Sequence, residues 1–510
     1  MEERETSAQA VPAGGGDDGI SRRKFLHGVA GTLGAAALPG VLTSQAGASG
    51  QRPNFVFLLG EGVRYDEMSW AGNPIIKTPN IDRLAREGVA FRNAFVVNAL
   101  CSPTRATLLT GMYSHTTGVI DNRDRSIPPE FPLISDMLRD AGYEVAFVGK
   151  SHVHGSLRDH DWDYYFGFNG QAVYYHPAMY EGSHGQYTGP TFYDGYVDDL
   201  LAERAVKWIS QRKKDKPFCL FLWFYAPHAP FYRSRDLLDL YNGVPIPVPD
   251  TFNDDLKGYP GKPKFADAYN KIGSTQVADD DPRSLEEVVK DHYAGTVSND
   301  KHVGDVIGAL DKNGHLNDTA ILLSSDHGFF LGEWRMYDKR FMHEPSIRVP
   351  LIVWYPKGIK AGLRPERMAL DLDIAPTVLE MAGIAVPKSM QGKSLVPFFR
   401  GSDPSGWRKD WFYEYFEYPD FEQVPPQHGI RTERYKLIHY YVEPEAFELY
   451  DLQQDPGERN NLYGDPRYAS LVSQLRARMQ ELRKESGDTW QYDVTRAYME
   501  AAPATSRMPR

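Results

Sequence analysis

Cysteine is nearly absent: Cys101 and Cys219 are the only two in 510 residues. That scarcity excludes a disulfide scaffold and a zinc site built from cysteines. A basic excess is missing too, with 57 Lys and Arg against 68 Asp and Glu and a formal net charge of −11. No nucleic-acid partner is expected, because nothing cationic dominates to meet a phosphate backbone. Long hydrophobic runs are also lacking. The apolar stretch at 29–42 is broken by glycines and Pro39 and falls short of the roughly 20 apolar residues a spanning helix needs, so no stable membrane span is expected. What is present, 41% hydrophobic and 25% charged residues, is ordinary for a globular protein. The length suggests two or more structural units. Fifteen histidines and 9 Trp, 30 Tyr and 25 Phe leave room for a metal or acid–base site and for stacking on a sugar or aryl ring.

The first segment reads as an address. A polar start leads to Ser21-Arg22-Arg23-Lys24-Phe25-Leu26, then the apolar stretch, then Ala46-Gly47-Ala48. Those parts in that order match a twin-arginine export signal over 1–48, cleaved after Ala48. A disordered basic terminus is the plainer alternative, and the order of the parts argues against it. The signal implies a twin-arginine translocase as partner and a periplasmic or secreted bacterial protein.

The body alternates strands and helices. Asn54 to Leu59 is a continuous apolar run of strand length, Thr78-Pro79-Asn80 opens a helix, and Gly88 stops it. Helices are expected over Leu133–Asp140, Asp194–Lys213 and Leu285–Leu310, with strands at Tyr143–Val148, Phe218–Phe224 and Thr319–Ser324. The pattern predicts an α/β fold with a mainly parallel sheet flanked by helices. Such sheets bind ligands beyond the carboxyl ends of their strands, where Glu61, Lys150, His152, His228, Asp326 and His327 all fall. A loop-rich stretch runs from Phe231 to Pro282. After about Arg400 the register changes, with a hairpin partner at Ile430–Tyr441 and a closing helix at Tyr468–Glu485. The expected division is 51–400 for the catalytic domain and 401–510 for a smaller α+β subdomain.

The segment Leu100-Cys101-Ser102-Pro103-Thr104-Arg105, with Thr110-Gly111 following, resembles the C-x-P-x-R signature of type I, formylglycine-dependent sulfatases. Supporting motifs occur in the family's order: Lys77 to Leu84, Gly149-Lys150-Ser151-His152, Ala226-Pro227-His228, Ser325-Asp326-His327-Gly328, Asp338-Lys339-Arg340, and Glu448-Leu449-Tyr450-Asp451-Leu452 with Asp455-Pro456. The resemblance implies an alkaline phosphatase-like fold and hydrolysis of a sulfate ester to an alcohol and inorganic sulfate. It implies that a maturation enzyme oxidises Cys101 to formylglycine, whose hydrate carries the nucleophilic oxygen. Arg105 would hold the hydrate, and His152 would be the base for sulfate release. Lys150, His228 and Lys339 would contact the sulfate, the last two also at the leaving oxygen. Glu61, residue 101, Asp326 and His327 would bind one divalent cation, with calcium as the first expectation. The substrate would be a sulfated small molecule or glycan, a carbohydrate or aryl sulfate first.

One departure stands out. The family's first strand usually ends in adjacent aspartates, and here Glu61 is followed by Gly62. Losing a carboxylate while keeping an imidazole makes manganese the alternative metal. It also keeps open a phosphonate monoester or phosphodiester hydrolase using the same nucleophile. A non-catalytic glycan-binding relative is a further alternative, opposed by the complete set Cys101, Arg105, Lys150, His152, His228 and Lys339. Plainer roles exist for single residues. Asp326-His327 could be a turn, Lys339 with Asp338 a surface ion pair, and Cys219 core. His115 and His343 could face the cleft or simply pack. Tyr174-Tyr175-His176, with Tyr180 and His184, could form a stacking platform or an aromatic satellite core.

Overall fold

A strand covered by helices on both faces needs apolar side chains at consecutive positions, and such runs form the centre of a nine-stranded sheet. The computed structural model describes residues 52–489 apart from 124, 154–156, 159, 253–282, 419–423 and 443–444. The export signal expected at 1–48 and most of the loop expected up to Pro282 lie outside the described residues. In spatial order the strands are Val89–Ala90, Leu351–Trp354, Thr319–Ser325, Asn54–Gly60, Phe218–Trp223, Glu144–Lys150, Tyr164–Phe168, Ala178–Ser183 and Gln186–Phe192. The pairings from Thr319–Ser325 through Tyr164–Phe168 are parallel. Both edges are antiparallel. The sheet is therefore mixed, parallel at its centre as the alternation predicts. The hairpin Ala178–Ser183 with Gln186–Phe192 escapes sequence reading because its second strand is mostly exposed and carries no apolar run.

Period-2 alternation sorts the central side chains into opposite core layers. Phe55, Phe57 and Leu59 enter one, with Leu108, Leu109, Ile134 and Leu138 from the helices Cys101–Thr110 and Ile134–Asp140. Val56 and Leu58 enter the other, with Leu84, Leu201 and Val306 from Pro79–Glu87, Val197–Ser210 and Leu285–Lys312. Helix ends follow local chemistry. Ser284 and Glu287 form a capping box at the start of Leu285–Lys312. Pro79 occupies the first turn of its helix, but Thr78 makes no side-chain cap there. Its hydroxyl donates instead to Asp82 Oδ1 at 2.9 Å, and Asp82 also accepts from Ser69 and the Trp70 amide. The Lys77–Leu84 motif is thus a structural knot. Cys219 is core, in a strand buried at every position.

Beyond Arg400, Asp410–Tyr415, Gln427–Thr432, Tyr435–Tyr440 and Ala446–Asp451 form an antiparallel four-stranded sheet. The helix Ala469–Glu485 packs on it. The Glu448–Leu452 motif lies in and just beyond its last strand. Among the described residues no helix is long and apolar enough to cross a membrane.

His115, on the short helix Ser114–Thr117, is tied to this sheet. Its Nδ1 is 2.6 Å from Glu414 Oε2 and its Nε2 is 3.0 Å from the Ser486 carbonyl. Both partners only accept, so both ring nitrogens must carry protons. Burial opposes that charge, yet the Glu414 carboxylate raises the pKa to about 9. His115 is therefore a packing residue and not part of the cleft. A raised pKa stabilises the fold fully below the unfolded value near ~6.5, and the gain is lost as pH climbs through about 9. It is worth on the order of 2–3 kcal/mol. The Tm gap between native protein and His115→Gln should be wide near neutral pH and close in thermal melts above about pH 9. A gap that does not change with pH would show a neutral imidazole.

Candidate active site

The carboxyl ends of adjacent parallel strands carry the polar residues. Glu61 follows Asn54–Gly60, Lys150 ends Glu144–Lys150, Asp326 and His327 follow Thr319–Ser325, and His228 lies on the turn after Phe218–Trp223. Gly149 must precede Lys150 because a Cβ there would fall 2.0 Å from the Trp223 carbonyl oxygen, at a φ of +133°. Cys101 opens the wholly buried helix Cys101–Thr110, and Arg105 lies about one turn further on.

These side chains converge. Cys101 Sγ lies 3.0 Å from Glu61 Oε1 and 3.5 Å from His327 Nε2. Lys150 Nζ donates to Glu61 Oε1 at 2.8 Å. Arg105 is fully buried; it pairs with Glu61, with Asp326 Oδ2 at 2.9 Å and with the Lys150 carbonyl at 2.6 Å. His228 Nε2 is 3.7 Å from Glu61 Oε1. The Ser102 hydroxyl donates to the His152 carbonyl at 2.5 Å, which ties that histidine to the start of the helix. Lys339 is 4% exposed and Asp338 is 7%, so their 3.3 Å pair is buried and not a surface ion pair.

Burial alone would push the Cys101 thiol up, but the Lys339 and Lys150 ammoniums hold it well below its ordinary value. Burial likewise works against Glu61, and Lys150 and Arg105 keep its carboxyl well below the usual range. Asp326 differs: burial and repulsion from Glu61 push it up to about 6. His152 falls to about 4 through burial and the Lys150 charge, and His228 is lowered for the same reasons. Both are neutral near pH 7 and able to accept a proton. Among the described residues no hydrogen bond reaches His152 Nδ1.

The donor set suits a divalent cation. One ligand atom each from Glu61, Cys101, Asp326 and His327 lies within 4.8 Å of the others, and all four residues are buried. Burial and the nearby Glu61 charge both disfavour ionised Asp326, and a cation between the two carboxylates would relieve both. Gly62 offers its amide to Asp326 Oδ1 at 3.1 Å and no side chain.

Supporting residues escape sequence reading because nothing in their local pattern marks them. Asp198, inside a helix, accepts the Tyr225 and Ala226 amides at 2.8 Å each. Asn299 donates to the Ala226 carbonyl at 2.9 Å. Together they pin the turn that carries His228. Tyr174 is buried against Tyr225 and Tyr196, and its hydroxyl donates to the His228 carbonyl at 2.5 Å. It is thus aromatic core that braces the site, while His176 and His184 form exposed pairs with Asp194 and Asp161. His343 packs among Trp334, Phe341 and Tyr450, away from the cluster.

Comparison with known proteins agrees with this geometry. A family model described as Sulfatase matches residues 53–384. The chain belongs to the formylglycine-dependent sulfatase family. A second model, N-sulphoglucosamine sulphohydrolase C-terminal, matches this sulfatase over 332–485. An N-acetylglucosamine-6-O-sulfatase of Bacteroides thetaiotaomicron is 33% identical, with 86% of this chain and 87% of that protein covered. The multifunctional alkaline phosphatase superfamily protein PehA of Trinickia caryophylli is 30% identical over 78% of this chain and 88% of its own. A solved structure holding its substrate, D-glucosamine-2-N,6-O-disulfate, superposes with a TM-score of 0.80 at 31% identity, covering 87% of this chain and 100% of that one. The phosphonate monoester hydrolase of Agrobacterium radiobacter shares the fold, with a TM-score of 0.70 at 23% identity over 85% of this chain and 96% of that one. The protein is a hydrolase of the sulfatase type.

Gly62 has a φ of +78°, and a Cβ there would lie 3.3 Å from the Phe329 ring and 3.4 Å from His327 Cε1. Gly62→Asp should therefore destabilise the fold by about 1–2 kcal/mol without tightening metal binding. Thermal melts and calcium titration by calorimetry check this; unchanged Tm with tighter binding would contradict it.

Proposed function

We infer that this sulfatase removes sulfate from a carbohydrate sulfate ester, with Cys101 as the residue oxidised to formylglycine. The observation that carries the reading is the gathering of Arg105, Lys150, His228 and Lys339 around Cys101, beside Glu61, Asp326 and His327. A hexosamine 6-O-sulfate is the first substrate to test, because the relatives with 33% and 31% identity are described as acting on, or holding, such sugars. Export through the twin-arginine route to the periplasm or beyond, and maturation of Cys101 by a dedicated enzyme, belong to the same reading.

Oxidised Cys101 would supply an aldehyde hydrate, one hydroxyl of which attacks sulfur while the other, once deprotonated, re-forms the aldehyde and expels sulfate. A divalent cation on Glu61, residue 101, Asp326 and His327, calcium first and manganese as the alternative, would supply charge neutralisation and Lewis acidity. The rest is work for side chains. Lys150, Lys339 and His228 face the sulfate oxygens and stabilise charge as the S–O bond breaks. The Lys339 ammonium neutralises or protonates the leaving oxygen. Neutral His152 takes the proton whose loss expels sulfate. Arg105 binds Glu61 and Asp326, which keeps the ligand carboxylates ionised and fixed.

The phosphonate monoester or phosphodiester reading keeps one observation in its favour, the missing carboxylate at Gly62. Protein co-expressed with a maturation system should be assayed on an aryl sulfate, an aryl phosphonate monoester and an aryl phosphodiester sharing one phenol, and on N-acetylglucosamine 6-sulfate. Sulfate turnover that falls to background in Cys101→Ala is the expected result. Preference for the phosphorus esters would transfer the protein to the second reading.

A further inference from the structure

Lys150 is fully buried, yet one of its partners is an exposed residue. Its Nζ donates to Gln171 Oε1 at 3.0 Å while also donating to Glu61 Oε1 at 2.8 Å. Gln171 therefore spans from the sulfate-binding lysine to solvent, which places it at the mouth of the site. The orientation of its amide follows from chemistry. An ammonium only donates, so Gln171 must turn its carbonyl oxygen inward. The amide NH2, a pair of donors, is then the outward end, and among the described residues nothing accepts from it.

The position is built and not incidental. Asn169 Oδ1 accepts from the Ser151 hydroxyl at 3.2 Å, and the Ser151 amide donates to the Phe168 carbonyl at 2.9 Å. The segment following strand Tyr164–Phe168 is thereby fastened to the segment following Lys150. Three residues past Gln171, Tyr174 holds the His228 carbonyl. One short loop thus touches two of the expected sulfate contacts, and the outward donor lies within about 5–6 Å of the Lys150 ammonium.

We propose that Gln171 is a specificity-determining residue whose amide NH2 binds an acceptor oxygen of the sugar that carries the sulfate. Resting on the carbohydrate-sulfate reading above, the proposal adds how the leaving group is recognised. A sulfate oxygen on Lys150 brings the carbon bearing the ester, and the hydroxyl or amide oxygen next to it, to the distance of that donor. A nitrophenyl leaving group offers no acceptor there.

The test compares matured native enzyme with Gln171→Ala and the isosteric Gln171→Met on N-acetylglucosamine 6-sulfate and 4-nitrophenyl sulfate. Both substrates lose whatever Lys150 loses, so the informative quantity is the ratio of the two kcat/KM values. That ratio should fall about tenfold in both variants, mainly through KM for the sugar. Equal losses on both substrates, or none on either, would overturn the proposal while native sugar turnover leaves the carbohydrate reading standing. Native enzyme that cleaves the aryl sulfate but not the sugar would remove that reading and this inference together. Unchanged Tm in the variants, expected for an exposed side chain, separates these outcomes from misfolding.

Discussion

Everything in this molecule depends on keeping Glu61 ionised where it is 1% exposed to water. Removing a carboxylate from water costs several kcal/mol, offset only by close, well-directed partners. Those partners come from different parts of the chain: Arg105 from a buried helix, Lys150 from a strand two places away in the sheet, His228 from the turn between them. None can be supplied locally. The cluster forms only when the parallel strands are in register, so the folding of the sheet and the assembly of the site are one event. One of those partners, Lys150, also helps Lys339 depress the Cys101 thiol.

A second constraint acts on Lys339, which is held by a loop and not by the sheet. Asp338 and Arg340 on either side of it have φ values of 90° and 88°, conformations that cost a side chain on the order of 1–3 kcal/mol each. The C-terminal sheet offsets that strain. Tyr413 donates its hydroxyl to the Arg340 carbonyl at 2.7 Å, and Gln427 accepts the Met342 amide at 3.0 Å. Glu417 reaches Arg340 and also accepts the Asn122 amide at 3.0 Å; Asn122 in turn accepts the Ser102 amide next to Cys101. The smaller sheet thus works as a buttress for the start of the Cys101 helix and for the loop that carries Lys339.

The sequence made the chemistry of the site more legible than its support. Glu61, Lys150 and Asp326 stand at the ends of apolar runs, and the rule that ligands lie beyond strand ends locates them without any structure. Cys101 with Arg105 was visible only through the sulfatase signature, because a wholly buried helix shows no amphipathic face. Asp198, Asn299 and Glu417 left no trace, since each acts on backbone groups or side chains far away in the chain. The edge hairpin at Ala178–Phe192 is not legible because its exposed second strand has no hydrophobic pattern to read. His115 shows the opposite limit: two plausible roles, decided only by which acceptors lie against its ring nitrogens.

Gly62 and Glu61 are best understood together. A side chain at 62 would enter space filled by the Phe329 ring and His327. Phe329 is itself packed against Phe231 and Tyr337, with the Lys339 ammonium 5.9 Å above its face. Beside Gly62 this chain therefore has an aromatic wall, which adds no negative charge near Lys339. The remaining carboxylate is the longer one. Glu61 reaches Cys101, Arg105, Lys150 and His228 from one strand end, a span over which an aspartate, one methylene shorter, would have to give up contacts. Glu61 thus serves by itself the contacts that gather the site, and with no carboxylate at 62 the positive field of Lys339 stays undiluted.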